Sequence, residues 1–260
     1  MEEICPLHEF DSTREAFIEP SKRNNVYLEE EIAESCVFTF SNDLINQLSQ
    51  HENVRKVGYI KTPNATTDIY ILKNEGKLIT FLQIPVGAAA AVIRLELLIA
   101  LGAKKIIVFG SAGVLNHEIS AGNILIPVSA IRDEGTSYHY LAPSREVEMD
   151  EEIVKTISEV LDKRKIKFQR CKTWTTDAVF RETAKKVFKR KSEGCVTVDM
   201  ECSALLSVAK FRGVKFGQIL YAQDSLGGIE WDSREEWRNE HSVSAVEKIF
   251  FLSAEIAANI

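Results

Sequence analysis

"CVTVDMECSALLSVAKFRGV" spans residues 195–214, and its two halves follow different periods. Cys195 to Val198 is a short apolar run with β-branched residues, the pattern of a buried strand. From Met200 onward the period becomes helical. Met200, Ala204, Leu205, Val208 and Phe211 fall along one stripe, and Gly213 marks the stop. A strand that runs within a few residues into a helix is the building unit of α/β folds. Glu201 is the odd residue in it. It precedes Leu205 and Val208 by one and two helical turns and so lies at the edge of the apolar stripe. An acid directed inward at a strand-to-helix turn calls for an explanation.

The same alternation extends outward along the chain. "CVFTF" (36–40), "TDIYIL" (67–72) and "KLITFLQI" (77–84) read as strands. After Gly87 comes the helix "AAAAVIRLELLIALG", closed by Gly102. "KKIIVFG" (104–110) is a continuous apolar run ending in glycine, as expected of a buried parallel strand. "NILIPVSAI" (123–131) is a further strand that Pro127 makes bulged or near an edge. A helix over 150–163, a strand over 166–176, the helix "ETAKKVFKRKS" and a strand over 215–223 complete the series. A last helix begins near Ser233, where Ser233 and Glu236 form an S-x-x-E capping box. The alternation predicts an α/β sandwich with helices on both faces of a parallel or mixed sheet. No linker divides residues 1–260, which read as one domain, with 1–35 a divergent, irregular or partly helical arm.

Bulk properties narrow the function. A net charge of -6 with dispersed Lys and Arg gives no reason to expect a nucleic-acid partner. The basic cluster "KKVFKRKSEG" (185–194) reads as a solvated helix face. The longest apolar run, "IPVGAAAAVI", is too short to span a bilayer, and the acidic N-terminus has no signal-peptide pattern. Five cysteines without a C-x-x-C pair read as reduced thiols of a cytoplasmic protein. The five histidines show no metal-ligand spacing, so no metal is expected.

In sheets of this kind, sites form at the carboxyl ends of strands. Those ends carry "PVGAAAA", "GSAGVL" (110–115), "RDEGTSYHY" (132–140), "TTDAVFRET" (175–183), "DMECSA" (199–204) and "QDSLGGIEW" (223–231). Hydroxyls, small residues and acids gather there, which suits a small polar ligand. There is no G-x-G-x-x-G, no P-loop and no G-x-S-x-G elbow. Taken alone, G-S-A-G reads equally well as a tight turn, Asp224 as turn chemistry and Glu201 as a first-turn acid favoured by the helix dipole.

Taken together, the segments resemble the nucleoside phosphorylases of the purine and uridine type and their nucleosidase relatives. "VDMECSAL" is similar to that family's V-E-M-E-[SA]-A-[AG] segment, with Asp199 a conservative change. "IIVFGSAGVL" is similar to its strand ending in G-[ST]-x-G, "RDEGTSYHY" to its D-G-T-S segment, and "YAQDSLGGIEW" to its strand ending in [SA]-D-x. The resemblance runs in order over residues 78–255.

It implies a three-layer α/β/α sandwich around a twisted, partly barrel-like mixed sheet, and chemistry at the N-glycosidic bond of a nucleoside. It also implies roles. Met200 packs under the ribose, and Glu201 accepts hydrogen bonds from its hydroxyls. A fixed carboxylate there favours the oxocarbenium-like transition state over the ground state. Asp224 is the acid that assists departure of a purine at N7 and must be held protonated to do so. Thr175, Thr176, Phe180 and Arg181 line the base pocket, and Phe180 stacks on the base. His8 reaches the ribose 5′-hydroxyl of a neighbouring subunit in a homo-oligomer, a dimer or hexamer.

The phosphate site departs from the pattern. The family's Gly-Asp-Pro segment is "SNDLINQL" here, and Val108 and Phe109 stand where an arginine is usual. The remaining candidates for phosphate are Ser111, main-chain N–H groups at the helix start after Gly87, and Arg94, with Arg132 and Arg181 as further sources of charge. The first expectation is a nucleoside phosphorylase, a pentosyltransferase with inorganic phosphate as co-substrate and no cofactor. The alternatives are a nucleosidase using water and a non-catalytic nucleoside-binding relative.

Overall fold

The computed structural model describes residues 5–260. Its strands are β1 (Val26–Leu28), β2 (Ser35–Thr39), β3 (Val54–Thr62), β4 (Ala65–Asn74), β5 (Lys77–Gln83) and β6 (Lys105–Val114), followed by β7 (Ile124–Asp133), β8 (Glu146–Glu148), β9 (Phe168–Thr176), β10 (Cys195–Asp199) and β11 (Lys215–Ser225). The helices are α1 (Asn42–Leu48), α2 (Ala88–Ala100), α3 (Glu151–Lys163), α4 (Ala184–Ser192), α5 (Cys202–Arg212) and α6 (Glu235–Ala257).

All eleven strands join one mixed sheet in the order β1-β3-β4-β5-β2-β6-β10-β9-β7-β11, with β8 beside β7. β11 also pairs with β6 in parallel register, Lys215 opposite Lys105 through Ala222 opposite Ala112. Strands β6, β10, β9, β7 and β11 therefore close into a ring, and β2, β5, β4, β3 and β1 extend from it as an open wing. The ring is the barrel-like part of the expected sheet. Helix α6 packs on β2 and β6 and contacts α1 and α3, while α2 packs against α5 on other parts of the sheet. Phe38, Phe81, Phe109, Phe250 and Leu98 are among the fully buried side chains between these layers.

Pro127 lies where the β7–β9 register slips, between Pro127 and Ser129. The expected bulge is present, although β7 is paired on both sides. Several elements escaped the sequence pattern. β1 and β8 are three-residue strands, and β3 carries polar residues such as Arg55 and Lys56 that blur its alternation. The last helix begins two residues later than Ser233. Arg234, at φ +48, precedes the first turn of α6, and the helix starts at Glu235. Among the described residues no helix is long and apolar enough to cross a membrane.

Candidate active site

The β6 strand does not end at Gly110. It runs on through G-S-A-G to Val114, so these glycines are strand residues that permit close approach. A Cβ at Gly110 would stand 2.7 Å from Phe40 Cδ2. A Cβ at Gly113 would stand 2.7 Å from Leu226 Cδ1, 3.0 Å from Val198 Cγ1 and 3.4 Å from Asp224 Oδ1. Beside Gly113 the β11–β6 register slips between Ala222 and Ser225, which places Asp224 in a bulge. Bulges next to functional sites re-aim side chains. Here Asp224 lines a cavity of about 210 Å³ and accepts a hydrogen bond from Trp231 Nε1 at 2.7 Å.

Met200 and Glu201 line the same cavity from the β10–α5 turn. Asp199 holds that turn. Its Oδ2 accepts from the N–H groups of Glu201 (3.0 Å) and Cys202 (2.6 Å), and its Oδ1 accepts from Thr173 Oγ1 (3.1 Å) and Thr175 Oγ1 (2.9 Å). Burial pushes the Asp199 carboxyl up, and the four donors oppose the shift. Glu201 is 6% exposed, and its Oε1 accepts the main-chain N–H of Gly87 at 2.6 Å. Gly87 has φ +101, a conformation open to glycine, and it caps α2. Burial, and then the charge of Asp199, pushes the Glu201 carboxyl up to about 8. This answers the question posed by the sequence: the inward acid is fixed by main chain on one side and open to the cavity on the other.

Glu182, which the sequence reading passed over as the start of a helix, also lines the cavity. It caps the 3-10 turn Val179–Arg181. Burial, and then the charge of Asp224, pushes its carboxyl up to about 7, against the pull of Lys186. The cavity therefore joins Glu182, Asp199, Glu201 and Asp224 with the hydroxyl-bearing Ser111, and no Lys, Arg or His is among its described lining residues.

Other expected residues stand elsewhere. Thr175 and Thr176 are buried. Thr175 Oγ1 donates to Asp199 and accepts from the N–H of Ser203 at 3.0 Å, and Thr176 Oγ1 accepts from the N–H of Ala178 at 3.3 Å. Thr175 thus holds Asp199, which lines the cavity. The 3-10 turn puts Val179 on the cavity wall and leaves Phe180 97% exposed; neither Phe180 nor Arg181 lines the cavity. The N–H of Gly87 is taken by Glu201, so it is not available to an anion. Arg132 is consumed by its own loop: it donates to Ser137 Oγ, Ser144 Oγ and the carbonyls of Leu141 and Ala142. Arg94 is buried away from this cavity and donates to Thr67 Oγ1 at 3.0 Å. Within its own chain His8 packs near Tyr138, with ring centroids 6.0 Å apart, and does not line the cavity. Among the described residues no group of three or more His, Cys, Asp or Glu side chains is arranged to hold a metal ion.

Comparison with known proteins agrees with this architecture. The family model described as the phosphorylase superfamily matches residues 35–254. A uridine phosphorylase of Thermococcus kodakarensis is 25% identical over 160 residues, 56% of this chain and 58% of its own length, so the chain matches little more than half of that relative. Among solved structures, uridine phosphorylase from Vibrio fischeri superposes with a TM-score of 0.75 at 21% identity, over 88% of this chain and 93% of the other. The 5′-methylthioadenosine/S-adenosyl homocysteine nucleosidase of Campylobacter jejuni superposes with a TM-score of 0.70 at 18% identity, over 86% and 98%. At these identities the superpositions establish the fold: a twisted mixed sheet with helices, as in nucleoside phosphorylases and nucleosidases.

Proposed function

The chain belongs to the phosphorylase superfamily, and from that premise we propose that it cleaves the N-glycosidic bond of a nucleoside in the cavity between β6, β10 and β11. One observation carries this reading. Asp224 and Glu182 line the same small cavity as Met200 and Glu201, although they come from separate segments of the chain. A volume of about 210 Å³ lies below the ~300–1,000 Å³ usual for ligand clefts, so these walls suit the sugar–base junction better than a whole nucleoside.

Two acids at one end provide for departure of the base. As the C1′–N bond breaks, its electron pair stays with the base, and a carboxyl proton neutralises it. A positioned acid of this kind contributes ~10²–10⁴-fold. The Glu182 carboxyl, pushed up to about 7, is a donor available near neutrality. Asp224 is the direct partner of the base once it takes that proton from Glu182, with a purine preferred for its N7 acceptor. At the other end Glu201 faces the ribose hydroxyls. Burial and the charge of Asp199 push its carboxyl up to about 8. Hydrogen bonds from a ribose favour the carboxylate, so sugar binding releases the proton to solvent and leaves a negative charge beside the developing oxocarbenium.

The nucleophile follows from charge. A phosphate dianion beside four carboxyl groups, with no cation among the described lining residues, lacks the charge-assisted bonds that hold phosphates. That supports water, hence hydrolysis to free base and ribose. The Ser111 hydroxyl on the wall favours the second reading, phosphorolysis to ribose 1-phosphate, with positive charge supplied by a neighbouring copy of the chain. Neither route calls for an organic cofactor. The test is a panel of purine nucleosides and uridine, with and without phosphate, followed by release of free base. Release without phosphate supports hydrolysis, release that depends on phosphate supports phosphorolysis, and no release from any member refutes the proposed activity.

A further inference from the structure

A second cavity, of about 880 Å³, lies between the N-terminal arm, the β3–β4 hairpin and helix α2. It shares no lining residue with the first; Pro85 walls one and the adjacent Val86 the other. Its charge is of the opposite sign. Arg14, Arg23, Lys61, Arg94 and Arg212 line it, and Glu96 is the one acid among its described lining residues. Glu96 is already engaged: it accepts from Arg212 Nε at 2.8 Å and Nη2 at 2.9 Å.

Arg94 has no such partner. It is 4% exposed, its Nη2 donates to Thr67 Oγ1 at 3.0 Å, and its Nε and Nη1 are buried without any hydrogen-bond partner. Burial disfavours its charged form. A guanidinium does not lose its proton in a protein, so a buried one calls for a counter-charge. The neutral Thr67 hydroxyl is not one. The rest of the wall is mixed. Ile18, Val92, Leu97 and Phe211 provide apolar surface, and Arg14 lies over the Phe211 ring at 5.9 Å.

We propose that this cavity is a binding site for a phosphate monoester carried on an apolar body, with the phosphate seated on Arg94 and further charge supplied by Arg23 and Lys61. Several cations with one committed acid suit a dianion better than a single carboxylate. Guanidinium nitrogens match phosphate oxygens in geometry as well as charge. The apolar wall contacts the ester's body. The site does not depend on the reaction proposed for the first cavity.

Isothermal titration calorimetry with phenyl phosphate on the full chain tests this. Binding is expected for the unmodified protein and, with equal affinity, for Asp224→Asn, whose altered side chain lines the other cavity. Arg94→Met should weaken it at least tenfold and Arg94→Lys less. Arg23→Ala and Lys61→Ala, at the more exposed rim, should each weaken it about threefold, which keeps the test informative if Arg94→Met does not fold. Phenol, without the phosphate, should give no binding. Absence of binding by the unmodified protein, or equal binding by Arg94→Met, overturns the proposal. So does a loss of oligomer mass in Arg94→Met, measured by light scattering, when neither protein binds phenyl phosphate; the counter-charge would then come from a second copy of the chain.

Discussion

The two cavities meet the same problem, charge removed from water, and meet it in opposite ways. The smaller one is walled by carboxyl groups without a cation, and carboxyl groups can take up protons: Glu182 is pushed up to about 7 and Glu201 to about 8. The larger one is walled by arginines, which cannot give protons up, and Arg94 is left with two unpartnered nitrogens. Proton exchange near neutrality is a resource for breaking bonds. A fixed positive charge is a resource for holding anions. The contrast teaches that, for the functions proposed here, sign and titratability separate a pocket suited to reaction from one suited to holding.

The largest effect that could break this contrast is at Asp224. Asp224→Asn is expected to lower nucleoside cleavage by ~10²–10⁴-fold while leaving the thermal midpoint nearly unchanged. Retained activity would remove the bulge of β11 from the chemistry. Next comes Glu182→Gln. If the proposed cleavage uses this proton, the unmodified protein should lose activity as pH rises through about 7, where Glu182, facing Asp224 and Lys186, gives it up. The variant should lose that limb of the pH profile, and an unchanged profile would show that Glu182 does not titrate in the reaction.

Glu201→Gln should cost ribonucleosides about tenfold more than 2′-deoxyribonucleosides, as expected if it reads the 2′-hydroxyl; equal losses would deny that role. The same variant sharpens the stability argument. The ordinary carboxyl value is 4.5 and the folded one about 8, so the folded protein binds the Glu201 proton more tightly. That stabilisation is fully present below 4.5 and is lost as pH rises through about 8. The melting temperature of the unmodified protein should therefore fall over this window more than that of Glu201→Gln. The smallest effect is on the other side of the comparison. Arg94→Met should melt slightly higher without ligand, since it removes a buried charge that no acid compensates.

The alternation of strands and helices was legible in the sequence because each switch of period, from "CVTV" to "ECSALLSVAKF" for instance, is local. Glu201 was legible because an acid beside an apolar stripe contradicts the pattern around it. Asp224 was reached through the order of segments rather than their spacing, since the bulge that aims it arises from two strands in partial register. Features set by a single turn were not legible. One residue of 3-10 geometry exchanges Val179 for Phe180 on the cavity wall. The hydroxyl of Thr175 is free in a linear reading and occupied once Asp199 and Ser203 are brought in. Arg94 is a similar case. Its place on α2 is plain, but Thr67, its partner, lies 27 positions away on β4.

The five-strand ring has a consequence for how the molecule comes apart. Within the ring each strand has two neighbours, so none can peel away alone; the strands bearing Ser111, Asp199 and Asp224 must loosen as a unit. The outer wing ends in β1, paired on one side to β3. Amide hydrogen exchange should accordingly divide the sheet in two: early, piecemeal exchange from the free end inward through β3 and β4, and late, simultaneous exchange for β6, β10 and β11. The acids of the smaller cavity would then keep their mutual geometry until the whole fold opens.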